Sequence, residues 1–335
     1  MRRRPRRRPE LSATRPTGRD VARLAGVSQA TVSLVFSPGG PHGRVSDATR
    51  DRVLAAAREL GYQPQAAARQ LRLGRTGLLL LTVPNILGPF FARVLAGAQA
   101  AAAERGLSVV VSSGWDRETV AAAARSRQYD GLLVCSPDDA QLGAALPGDV
   151  PVVFLDADPA LGRGLELDVA GGMAAAVRHL RDLGHRQLGR LRSTENAYTF
   201  RARQRGFVAA AEGWADVREL GVSINRGLPA ARAAARDLLS SDRRPTAVVC
   251  DDDIVAAGVY HAAAELGLSI PDDLSVVGID NIVAAALFAP ALTTVDLPGE
   301  RLGAEGVALL LDPDAPAPGP LPTTLVERSS TRRVG

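Results

Sequence analysis

A chain of 335 residues, 46% of them hydrophobic, is long enough for two or three domains with buried cores, and its longest apolar runs, such as 77–83, stop far short of the ~20 residues that span a bilayer. The net charge of +4 conceals an asymmetry: residues 1–75 hold 16 arginines against five acids, a net +11, whereas residues 76–335 hold 24 against 31, a net −7. A basic head on an acidic body points to nucleic acid at one end only. Every cation is arginine. The guanidinium fork suits phosphate and guanine, although a uniform lack of lysine is better explained by codon bias.

Six of the first eight residues are Arg, and residues 1–16 contain almost nothing apolar, so this stretch is expected to be a disordered basic arm. It is either a phosphate-binding arm or a solvated tail. No apolar segment follows it, so it does not read as a secretion signal. Residues 17–63 read as a three-helix module. Thr17 caps a first helix that buries Val21, Ala22 and Ala25, and Gly26 makes the turn. Ser28 caps a second helix with Val32 and Val35 facing inward. After a loop at 37–44 with three Gly and two Pro, Ser46 opens a third helix that carries Val53, Ala56, Ala57 and Leu60 and ends at Gly61. Two short helices joined by a tight turn, the second starting with small polar residues, are how a protein presents a helix end to the DNA major groove. Residues 64–75 form an Ala-rich linker with helical propensity.

From 76 onward apolar strand-like runs at 77–83, 107–113, 131–136, 151–156, 187–193, 246–251, 275–280 and 293–297 alternate with Ala-rich helical segments. Continuous apolar strands separated by helices mean parallel sheets covered on both faces, with ligands bound beyond the strand C-termini. Cys135 and Cys250 each end such a run and read as buried free thiols of a reducing cytosol. The four histidines lack metal-ligand spacing, and no phosphate-cradling GxxxxGK[ST] or GxSxG elbow occurs, so neither a metal, a cofactor nor an enzymatic role is expected.

Six motifs follow one another in a fixed order: DVARLAGVSQATVSLVF, RVSDATRDRVLAAARELGYQP, TVPNILGPFFARVLAGAQAAAAERG, LGHRQLG, the RxxGF of Arg203–Phe207, and PDDLSVVGIDN followed by PALTTV. Through them the chain, from Thr17 to about Thr331, resembles the lac-repressor (LacI/GalR) family of bacterial transcription regulators. The resemblance implies an all-α helix-turn-helix headpiece (17–63), a hinge helix (64–75), and an α/β periplasmic-binding-protein-like core (76–335) of two doubly wound lobes. The lobes are expected at roughly 76–167 with 298–320 and 168–297 with 321–331. It further implies a cytoplasmic homodimer on a near-palindromic double-stranded operator, controlled by a small-molecule effector. No heptad pattern follows Leu325, so a C-terminal tetramerising helix is not expected.

By position the family assigns Thr17, Asp20, Ser28, Gln29, Ala30, Thr31, Ser33 and Leu34 to DNA. Gln29 and Ala30 are the principal readers; Gln suits adenine and Ala a thymine methyl. Leu34 departs from the Arg that many relatives use for guanine. Gln65, Ala68, Gln70 and Leu71 match the hinge, with Leu71 as a minor-groove wedge or, alternatively, packed in a dimer linker. Asn85, Phe90, Phe91, Asp156, Thr199, Arg203, Asp252 and Asp280 match the effector cleft. Arg203 and Asp280 are alternatively a structural ion pair, and the two Phe alternatively core. Asp252 departs from the usual Asn and Ile279 from the usual aromatic, while Val222 stands where sugar-binding relatives stack a Trp or Phe. Less aromatic surface and an extra carboxylate favour a sugar, polyol or basic ligand over a purine. Activator rather than repressor, and a receptor without DNA function, are the other readings. Arg190 and Arg192 within an apolar strand have no evident role.

Overall fold

The structure, a computed structural model, describes residues 16–36, 45–62, 75–114, 116–138, 142–146, 150–214 and 216–334. The expected arm, the 37–44 loop and most of the linker lie outside the described residues. The chain divides into two compact units, residues 1–76 and 77–335.

In the first unit α1 (Gly18–Ala25), α2 (Gln29–Val35) and α3 (Asp47–Leu60) surround a small apolar core. Each starts where the sequence places a cap. Thr17 and Asp20 form a reciprocal capping box, and Ser28 and Ser46 accept the backbone N–H of Thr31 and Thr49. Gly26 ends α1 at φ 65, a left-handed conformation that costs a residue with a Cβ about 1 kcal/mol or more. Val21, Ala22, Ala25, Val32, Val53, Ala56 and Ala57 interlock, and Phe36 closes edge-on against Tyr62.

The second unit holds two sheets. The first has the order β2 (Ser108–Ser113), β1 (Leu78–Val83), β3 (Gly131–Cys135), β4 (Val152–Leu155), β5 (Gly164–Leu165), all parallel. The second has the order β11 (Thr324–Val326), β10 (Thr293–Asp296), β9 (Ser275–Asp280), β8 (Ala247–Cys250), β6 (Gln187–Ser193), β7 (Asp216–Val222), parallel except for β11. Strand side chains alternate between two cores. Leu79, Leu81, Leu133 and Cys135 join a cluster that continues through Val249 and Val277 of the second sheet. Leu80, Leu132 and Val134 face a core on the far side of the first sheet, and Val248, Cys250 and Val276 one on the far side of the second. Burial on both faces is why these strands are uninterrupted apolar runs. The short β5 and β11 and the charged β7 are additions to the expected strands. In β7, DVRELGV alternates exposed and half-buried positions, as an edge strand does.

In chain order the helices are α4 (Pro89–Ala103), α5 (Arg117–Arg125), α6 (Leu142–Ala145), α7 (Val169–Asp182), α8 (Tyr198–Ala211), α9 (Gly227–Leu239), α10 (Asp253–Glu265) and α11 (Gly299–Leu311). Although α11 follows the second sheet in sequence, it packs against α4 and the first. Gly97 and Gly303 set that spacing: a Cβ on Gly97 would collide with the Glu300 carbonyl, and one on Gly303 with that of Val94. Helix propensity favours Ala over Gly by about 1 kcal/mol, but overpacking against rigid backbone costs about 1–3 kcal/mol or more. Gly97→Ala is therefore expected to destabilise the protein by roughly 1–2 kcal/mol in urea titration; an unchanged midpoint would show that the helices separate freely.

Candidate functional site

On α2 the side chains of Ser28, Gln29, Ala30 and Leu34 are exposed, while Thr31 and Ser33 are half-buried. The Ser28 hydroxyl accepts the Thr31 N–H at 3.1 Å and lies 2.9 Å from the Thr31 hydroxyl. Thr17 donates its N–H and hydroxyl to Asp20, and Arg23 pairs with the same carboxylate at 2.8 Å. Those four polar candidates are thus engaged in holding helix starts, which leaves Gln29, Ala30 and Leu34 as the outward-facing chemistry of α2. Leu34 is an apolar side chain 37% exposed on the surface of α2. Gln65, Ala68, Gln70 and Leu71 lie outside the described residues.

In the second unit all eight cleft candidates line one cavity of about 550 Å³. Its walls are the residues that follow the parallel strands: Asn85 after β1, Ser136 after β3, Asp156 after β4, Glu195 after β6, Ile224 after β7, Asp252 after β8 and Asp280 at the end of β9. Both lobes contribute, because both sheets point their C-terminal ends at it. Ser136, Asp156 and Asp280 adopt positive φ of 47, 48 and 115. Such backbone costs of order 1–3 kcal/mol per residue and aims these side chains off the strand axis.

Arg203 is the hub. Only 4% exposed, it donates through Nη1 to the Asp251 carbonyl at 2.8 Å and through Nη2 to Asp280 Oδ1 at 3.2 Å, and its guanidinium lies over the Phe200 ring. The Arg203–Asp280 ion pair and the cleft position therefore hold together. Asp156 accepts the Ser136 hydroxyl at 3.1 Å on Oδ2. Asp156 Oδ1, Thr199 Oγ1 and Arg203 Nε have no hydrogen-bond partner within the protein. Asp252 caps α10 by accepting the Val255 N–H at 2.6 Å. Burial raises the carboxyls of Asp156, Asp252 and Asp280, against the lowering effect of Arg203, and at Asp280 the neighbouring carboxylates of Asp252, Asp253 and Asp156 act in the same upward direction. Asn85 is exposed and turns its side-chain oxygen to the Leu87 N–H. Phe90 is both cavity wall and core, and Phe91 meets it edge-on.

Val222, expected where relatives stack an aromatic, does not line the cavity but is buried in an apolar core, and so is Ile279, because the two-residue strand period points both inward. The third aromatic wall is Phe200, beside Thr199, and together with Phe90 and Phe91 it leaves more aromatic surface than expected. Glu195 was also missed. Burial acts to raise its carboxyl, but the hydroxyls of Ser193 and Ser223 and the Ile224 N–H outweigh this and lower it. Asn225 adds a fourth donor.

Arg190 has a structural explanation. It is fully buried behind the cavity, bonded through Nε and Nη2 to Asp251 Oδ1 at 3.1 and 2.9 Å and through Nη1 to Gln204 and Glu219, with Phe207 stacked on the guanidinium. Asp251 Oδ2 accepts the Ser193 N–H at 2.9 Å. On the other side Arg93 of α4 donates to the Asp280 carbonyl at 3.0 Å, to Asp296 Oδ1 at 3.1 Å and to both oxygens of Glu300.

Residues 17–65 match the model for bacterial regulatory proteins of the lacI family, and residues 177–331 that for a periplasmic binding protein-like domain. The "HTH-type transcriptional repressor PurR" of Photobacterium profundum is 33% identical over 318 residues, 88% of this chain and 91% of that protein. The chain belongs to the LacI family. Two solved structures agree with this membership. The lac repressor dimer bound to operator and the anti-inducer ONPF is similar at TM-score 0.85 and 29% identity over 95% of this chain and 99% of that one. The CelR–cellobiose complex is similar at 0.67 and 28%, over 94% and 100%. This LacI-family protein is a DNA-binding transcriptional repressor with a helix-turn-helix headpiece and a two-lobed α/β core. Among the described residues no helix is long and apolar enough to cross a membrane, and no cluster of three His, Cys, Asp or Glu could hold a metal.

Removing one partner of a buried ion pair strands the other. Arg190→Ala is expected to cost about 3–5 kcal/mol of unfolding free energy in urea, and a loss under ~1 kcal/mol would show that water replaces the guanidinium. Asp253, fully buried, accepts the Thr294 hydroxyl at 2.6 Å and the Ile282 N–H at 2.9 Å; burial pushes its carboxyl up to about 7. With the folded value above the unfolded one, the stability it contributes is complete below about pH 4 and lost as pH rises towards 7. The stability of Asp253→Asn relative to the native protein should therefore rise between about pH 5 and pH 7.5; parallel curves would show an ordinary carboxylate.

Proposed function

We propose that this LacI-family repressor works as a cytoplasmic homodimer that reads a near-palindromic operator with the start of α2 and answers to a carbohydrate or polyol bound between the lobes. Gln29 and Ala30 read base edges and Leu34 packs on a thymine methyl, while Thr17, Asp20, Ser28, Thr31 and Ser33 hold the helix start and the backbone register. Gln65, Ala68, Gln70 and Leu71 are proposed to contact the minor groove.

The observation that carries the effector reading is the cavity itself. Three buried polar atoms, Asp156 Oδ1, Thr199 Oγ1 and Arg203 Nε, line it without a protein partner, and both sheets contribute walls. A polyhydroxylated ligand supplies donors to the first and acceptors to the last, and cellobiose is what the CelR neighbour holds. A ligand touching both lobes favours one lobe arrangement over another, and only that difference in affinity shifts operator binding.

Selection of full-length protein on a random DNA pool is expected to return a near-palindromic site. Gln29→Ala should weaken that site by roughly 1–3 kcal/mol, about 5–150-fold, with scrambled DNA bound as before. An equal loss on scrambled DNA would remove Gln29 from base reading.

A further inference from the structure

We infer that the effector carries a protonated amino group, as an amino sugar or amino polyol does, and that its ammonium sits among Asp156, Asp252 and Asp280; this rests on the cavity being the effector site.

Charge balance is the reason. Among the described residues, five carboxylates line the cavity, those of Asp138, Asp156, Glu195, Asp252 and Asp280, and one cation, Arg203. Asp138 is exposed at the rim and screened by solvent. Glu195 is saturated by four donors, the hydroxyls of Ser193 and Ser223, the Asn225 amide and the Ile224 N–H. Three carboxylates then remain for one guanidinium, and Arg203 directs its Nη2 to Asp280. Arg93 reaches the Asp280 carbonyl rather than its carboxylate and is already matched to Asp296 and Glu300. Arg190, the other buried guanidinium of this lobe, is matched to Asp251 and Glu219. Asp156, 2% exposed, keeps Oδ1 without an ordinary hydrogen bond although Thr199 lies near, and Asp252 is held by the backbone N–H groups of Val255 and Ile254, with Arg203 the cation beside both.

Buried carboxylates in excess are costly unless a cation or protons join them. A neutral sugar brings hydrogen-bond donors but no charge. An ammonium brings three donors and a positive charge into the same volume. The unpartnered Arg203 Nε still requires an acceptor, which a ring hydroxyl supplies, so the amine belongs on a polyhydroxylated frame rather than on a bare alkyl chain.

The test uses full-length protein in thermal-shift and calorimetric titrations with matched sets: glucose, glucosamine and N-acetylglucosamine; galactose, galactosamine and N-acetylgalactosamine; and glucitol with its 2-amino derivative. An amino member is expected to bind at least about tenfold more tightly than its neutral parent, with the N-acetyl form, which lacks the charge, falling back to the parent's level. Asp252→Asn keeps a helix-capping oxygen, so it should fold, which its melting transition checks. It should narrow the preference for the amine, read as the ratio of the amine's and the neutral parent's dissociation constants, by about tenfold. Neutral members binding as tightly as their amines, or an unaltered preference in Asp252→Asn, would overturn the inference and leave the sugar cavity standing. Binding by no member of the panel would overturn both.

Discussion

A guanidinium cannot shed its charge at any physiological pH, so burying one obliges the fold to surround it with acceptors. The core of this repressor buries two within one lobe and arranges its neighbours accordingly. Arg190 holds the Asp251 carboxylate, the Asp251 carbonyl holds Arg203, Arg203 holds the Asp280 carboxylate, and the Asp280 carbonyl is held by Arg93. Cations and acceptors alternate along this path from the interior of one lobe, through the cavity wall, to α4 of the other. The positive φ at Asp280 is tolerated because its side chain and its carbonyl are fixed from opposite sides.

This arrangement gives the cavity its physical character. Arg203 is oriented before any ligand arrives, so little ordering entropy opposes binding. The same path gives a contiguous route between the lobes. Asp280 faces the cavity with its carboxylate and contacts Arg93 with its carbonyl, so a ligand that shifts the carboxylate also loads the contact between α4 and β9. Coupling of this kind operates only as far as two lobe arrangements differ in those contacts.

Much of this was legible in the sequence for identifiable reasons. The caps at Thr17, Ser28 and Ser46 are local chemistry, readable from the residue and its neighbours three positions on. Strands buried on both faces announce themselves as apolar runs. Strand β7 did not, because an edge strand carries charge on its open side; Glu219 there also serves Arg190 across the sheet. Arg190 and Arg192 looked alike in the sequence and share one face of β6, yet one is wholly buried and the other exposed: Arg190 is flanked by β8 and β7 and finds Asp251, Gln204 and Glu219, whereas Arg192 lies past the last residue paired with β8. Val222 was placed at the cavity by its position in the chain. A strand end turns either inward or toward the ligand, and here it is core, while Phe200 on α8, the helix before it, supplies the aromatic wall.

The sequence by itself determined the helix-turn-helix module, the parallel strands covered by helices and the strand ends as the place where polar groups would gather, because each depends on residues near one another in the chain, while the two lobes were implied by the family resemblance. The tertiary structure alone decided which charges are matched. Arg190 finds Asp251 sixty-one positions away and Arg93 finds Asp296 two hundred and three away. Only once those pairs are made does the cavity show, among the described residues, three aspartates facing one guanidinium. Net charge is written along the chain, but the charge left over at a buried site depends on which distant partners have already neutralised one another.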